Sequence, residues 1–134
     1  MKNLYRMIVS SFILMSFNSL ASSVECYKKA IQMKDFDQDE KTKQSFAYNL
    51  CKGSEDLFPV TCYEEFVNLP DYILPTQAAK HYAALTVCRG ATKGKISPMS
   101  CFMEAIVLPL ELTQTHKTPI DFALNFCKAK HQYL

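Results

Sequence analysis

Tryptophan is absent and glycine occurs only three times in 134 residues. With so little glycine there is no phosphate-cradling loop and no glycine-dependent triple helix. Arg89 is the only arginine beyond residue 21, so bidentate recognition of phosphate or carboxylate groups has a single candidate. Charge of one sign is also lacking: beyond residue 21, 13 basic side chains meet 13 acidic ones. The balance is +1 for residues 22–53, −3 for 54–90 and +2 for 91–134. None of these is a field of the size that nucleic acid requires, so no nucleic-acid partner is expected. Past the first 21 residues the longest apolar run is Ala105 to Leu110, interrupted by Pro109, and no transmembrane anchor is expected in that part. Cys-x-x-Cys, His-Glu-x-x-His and Gly-x-Ser-x-Gly are all missing.

The chain does begin with a leader. Lys2 and Arg6 precede an apolar stretch from Met7 to Phe17, followed by Ser19, Leu20, Ala21, Ser22 and Ser23. This is the pattern of a secretory signal peptide over residues 1–21, with small residues that fit cleavage after Ala21 or after Ser23. The apolar stretch is shorter than the ~20 residues that span a bilayer. Lipoprotein processing needs a cysteine directly after the small residues, whereas Val24 and Glu25 stand before Cys26. The product is expected to be periplasmic or secreted, as one domain over residues 22–134.

All 6 cysteines lie beyond the leader, and an even number in an exported chain favours disulfides over metal or redox thiols. Cys26 and Cys51 are 25 positions apart, Cys62 and Cys88 are 26, and Cys101 and Cys127 are 26. The surrounding text repeats: CYKKAI, CYEEFV and CFMEAI follow the first cysteines, and the second cysteines end FAYNLC, YAALTVC and FALNFC. Three tandem units result, over residues 24–53, 60–90 and 99–129.

Within a unit, apolar residues fall one, four, five and seven positions after the first cysteine. In unit two these are Tyr63, Phe66, Val67 and Leu69, a helical spacing. Counting back from the second cysteine, positions five, four and one are Phe46, Ala47 and Leu50, then Ala83, Ala84 and Val87, then Phe122, Ala123 and Phe126. They define a second helix, with alanine four residues before the cysteine in every unit, where a neighbouring helix comes close. Thr118, Pro119 and Asp121 read as a helix start, and Asp37 with Glu40 resembles a capping box. Lys52, Arg89 and Lys128 follow the second cysteines, and Gly53 and Gly90 supply left-handed termination.

Cysteines at the start of one helix and the end of the next become neighbours when the two helices fold back on each other. The predicted pairs are Cys26–Cys51, Cys62–Cys88 and Cys101–Cys127, each within one unit. The expected fold is all-α: three tandem disulfide-pinned antiparallel helical hairpins, stacked as a short α-solenoid or compact six-helix array. It resembles tetratricopeptide-type arrays in architecture alone, because their Trp, Leu, Gly, Tyr signature is missing.

Candidate chemistry is sparse. Asp35, Asp37 and Asp39 alternate like the start of a calcium loop, but Glu40 and Phe46 stand where a glycine and a bidentate glutamate are needed. His81, His116 and His131 share no ligand spacing, so neither metal nor cofactor is expected. A hydrolytic pairing of His116 with Asp121 rests on composition alone, and the chain is expected not to be an enzyme. The basic segment from Arg89 to Lys95 reads as a solvated loop. The expected role is a binding or interaction module for another protein or peptide. The alternatives are a small carrier holding an apolar ligand or lipid around Phe66, Ile106 and Phe122, and, less favoured, a hydrolase or a secreted protease inhibitor.

Overall fold

A computed structural model describes residues 22–33, 39–94, 97–108 and 118–130. Residues 1–21, where a leader is expected, residues 34–38, His116 and His131 lie outside the described residues. Six helices are described: α1 (residues 22–31), α2 (Glu40–Cys51), α3 (Phe58–Val67), α4 (Gln77–Cys88), α5 (Pro98–Ile106) and α6 (Pro119–Lys130), with no strand among the described residues.

Local chemistry sets the helix starts. The Asp39 carboxylate caps α2, accepting from the Thr42 N–H at 3.1 Å and from the Thr42 hydroxyl at 2.6 Å. The cap is thus Asp39 rather than the expected Asp37, because a capping side chain must sit directly before the first helical residue to reach the N–H three positions on. Its hydrogen bonds to the Thr42 hydroxyl and N–H hold the carboxyl below its ordinary value of 3.8. The cap is therefore complete above the unfolded pKa and weakens as pH falls through the depressed folded one. Thr76 and Ser97 cap α4 and α5 in the same way. The Thr118 hydroxyl accepts from the Asp121 N–H at 3.1 Å and donates to the Asp121 carboxylate at 2.9 Å, closing the start of α6. Proline occupies the first turns of α3 and α5, where its missing N–H costs nothing.

Each helix pair is closed by one bridge: Cys26–Cys51, Cys62–Cys88 and Cys101–Cys127, with Cα separations of 5.6, 5.6 and 5.8 Å. Packing is extensive between α3 and α4 and between α5 and α6. Units then stack in order. Helix α2 lies on α3 and α4, while α3 lies on α5 and α4 on α6, so the second helices α2, α4 and α6 form one row. The alanines four residues before each second cysteine, Ala47, Ala84 and Ala123, are all fully buried. Small side chains there let neighbouring helices approach.

Two aromatic contacts join successive units. Tyr63 of α3 meets Phe46 of α2 edge-on at 4.9 Å between ring centroids, and Phe102 of α5 meets Phe66 of α3 at 5.2 Å. Tyr63 is fully buried, and its hydroxyl is paired with His81 Nδ1 on the facing helix. Burying the ring leaves no polar atom stranded. Lys80 is buried at 5 % exposure and sends its ammonium to Asp71 in the unit-two turn, at 2.7 Å. One apolar stripe is shorter than expected. Helices α3 and α5 end five residues after their first cysteines, so Leu69 and Leu108 fall beyond them, and Leu108 is exposed. Asn68 and Pro70 terminate α3 there.

A backbone junction ties units one and two. Helix α2 ends at Cys51, which leaves the Leu50 carbonyl without an intrahelical partner, and the Gly90 N–H donates to it at 2.9 Å. Gly90 has φ +62°, and a Cβ there would lie 3.2 Å from the Lys52 carbonyl oxygen. Gly53 has φ +78° but open space around the same point. Gly53→Ala is expected to cost about 1 kcal/mol, the strain of left-handed backbone alone. Gly90→Ala is expected to cost about 1 kcal/mol more, because the methyl also presses on the junction. Urea midpoints of the two variants measure the difference; equal losses would mean that the junction carries no load.

Candidate functional site

Covering one unit with the next buries the residue after the first cysteine each time. The residue after the first cysteine is Tyr63 in unit two and Phe102 in unit three, and both are fully buried against the preceding unit. In unit one it is Tyr27, which is only partly buried. Two residues before the first cysteine stands Val60 in unit two, 3 % exposed, and Val24 in unit one, 48 % exposed. The leading face of unit one is thus an apolar surface of the kind that units two and three bury.

That face forms a cleft of about 680 Å³ with mostly apolar walls, open to solvent along one side. Helix α1 supplies Ser23, Val24 and Tyr27; α2 and its exit turn supply Tyr48, Cys51, Lys52, Gly53, Ser54 and Glu55. Hydrogen bonds hold the floor in shape. The buried Ser54 hydroxyl donates to the Cys51 carbonyl at 2.7 Å, and the Ser23 hydroxyl donates to the Ser54 carbonyl at 2.7 Å, pinning α1 to the α2 exit turn beside the disulfide. Lys52 lies 5.7 Å from the centroid of the Tyr48 ring, so the cation sits over an aromatic face at the rim. Tyr48 itself is exposed.

The cleft can bind an apolar surface and orient it through backbone groups and rim charges. Among the described residues its walls supply no histidine and no second carboxylate beside Glu55. Among the described residues no group of three or more His, Cys, Asp or Glu is arranged to hold a metal ion, and no helix is long and apolar enough to cross a membrane.

The six cysteines singled out in the sequence are brought together as three bridges, of which Cys51 alone borders the cleft. The three residues of the expected ligand pocket, Phe66, Ile106 and Phe122, do not line the cleft of unit one. Phe66 is fully buried on Phe102, and Phe122 stacks on Phe126 at 5.5 Å. Of the three histidines only His81 is described, and it is engaged with Tyr63. Arg89, Thr92, Lys93 and Gly94 of the basic segment lie away from the cleft walls. The sequence pattern singled out neither Val24 nor Tyr48. The signal that finds them is the repeat itself: the first of three stacked units has a leading face that no described unit precedes.

No family model matches the chain, and no curated protein and no solved structure matches it.

Proposed function

We propose that this chain is an exported, disulfide-pinned helical-repeat protein that acts as a protein-interaction module through the open end of unit one. The observation that carries this reading is the apolar cleft at Val24, Tyr27 and Tyr48, centred on Tyr27, whose equivalents Tyr63 and Phe102 are fully buried in the other two units. Three disulfides are bonds of an oxidising compartment, which fits the leader read from residues 1–21 and a periplasmic or secreted location. The reading assigns no catalytic role and no cofactor.

A carrier of a small apolar ligand is the second reading, favoured by the apolar walls of the same cleft. The open side counts against it, since small-molecule sites enclose most of their ligand's surface. The two are separated by placing a photo-reactive amino acid at position 48 in the exporting organism and adding native mass spectrometry of the purified protein. The interaction module predicts a protein adduct that the second change Val24→Asp abolishes. A co-purifying small molecule in place of any protein adduct would support the carrier and overturn the module.

A further inference from the structure

The turn leaving α2 is built like the turn leaving α4. The residue after the cysteine has φ −60° and ψ 118° at Lys52, and φ −56° and ψ 117° at Arg89. A left-handed glycine follows in each, Gly53 and Gly90. The next residue then donates its N–H back to the cysteine carbonyl, at 3.0 Å from Ser54 and 3.0 Å from Ala91, and both of these residues are buried. In unit two this turn is a docking device: the Gly90 N–H bonds the carbonyl end of the preceding second helix. In unit one the same turn opens onto the cleft. No described group accepts from the Gly53 N–H, and nothing stands within 4 Å of where its Cβ would be.

The trailing end of the array presents an apolar residue of its own. The residue before the second cysteine is fully buried in unit one, Leu50, and 1 % exposed in unit two, Val87, because the next unit lies over it. In unit three it is Phe126, 44 % exposed. The chain thus carries at one end a leading face and at the other a trailing face of the kind it packs together internally at each junction.

We propose that the cleft of unit one receives the trailing face of unit three from a second copy of this chain, so that copies associate head to tail and the array continues from one molecule into the next. Val24, Tyr27 and Tyr48 then cover the Phe126 side of α6, with Tyr27 at the seam where Tyr63 meets Phe46 of unit one within the chain, and the Gly53 N–H meets the carbonyl end of α6. Such an interface is heterologous, so each bound copy leaves one leading and one trailing face open for further growth or ring closure. This inference rests on the interaction-module reading and names its partner.

The test is sedimentation velocity over a wide concentration range on the oxidised, exported protein made from the full-length chain, with circular dichroism as the check on folding. The unaltered protein is expected to show mass rising with concentration. Val24→Asp with Tyr48→Asp on the leading face, and Phe126→Asp on the trailing face, are each expected to weaken association about 30-fold or more, the loss typical of a hot-spot residue. A mixture of the leading-face and trailing-face variants retains one intact pair of faces and is expected to give a discrete dimer. A monomer at all concentrations overturns the inference, and so does a dimer that Phe126→Asp leaves intact, since that would be leading face on leading face. If the unaltered protein stays monomeric while the photo-adduct at position 48 is another protein, this inference fails and the interaction-module reading survives. Loss of both defeats both.

Discussion

Replacing Cys62 and Cys88 together by alanine is expected to lower the free energy of unfolding by about 3.5 kcal/mol, by the chain-entropy cost of a closed loop of this size. The two residues are 26 positions apart, both sulfurs are buried, and they join the hairpin that touches both neighbours. A small domain has only about 5–15 kcal/mol in hand, so the loss is a large share of the total. Because α3 and α4 bury one another extensively, the reduced pair is expected to remain helical at low temperature and to melt much earlier. Urea denaturation of the oxidised double variant against the unaltered protein measures this. A shift below about 1 kcal/mol would mean that packing alone holds the hairpin and that the bridge constrains little in the unfolded chain.

Phe66→Ala is the second large effect, at about 3–5 kcal/mol for removing a fully buried aromatic ring from a close-packed interior. The ring belongs to α3 and lies on Phe102 of α5, so the cavity would open between units two and three. The damage is expected to be local as well as global. Hydrogen exchange in α5 and α6 should quicken more than in α2, because units that touch only their neighbours lose coupling at the broken junction. Tyr82→Ala is the control: that side chain is exposed on α4, and its loss is expected to stay within about 0.5 kcal/mol. Equal acceleration across all helices would show that the three units unfold as one.

The fold was largely legible because its determinants are short-range and repeated. Three cysteine pairs at nearly constant spacing, with apolar residues in helical register beside them, leave few ways to bury those side chains. The capping of α6 by Thr118 was equally readable, since the side chain and the N–H it satisfies lie three residues apart. Asp39 was misplaced by two residues because several acids crowd that turn and only geometry shows which carboxylate reaches Thr42. The cleft was not legible position by position. Tyr27 and Tyr63 have the same local sequence context, and what separates them is whether another unit stands in front, a fact about stacking order rather than about either residue.

All three bridges close their hairpins at one end, the end where the chain enters and leaves each unit. Tension applied to the two ends of the oxidised protein would therefore cross each unit through sulfur and bypass the helices. Only the links from Cys51 to Cys62 and from Cys88 to Cys101 could lengthen, 11 and 13 positions, or roughly 40 and 45 Å when fully drawn out. Each hairpin would keep about 85 Å of backbone out of the pull until its bridge is reduced. A chain of such molecules would behave as a tether of nearly fixed length whose slack is released by thiols.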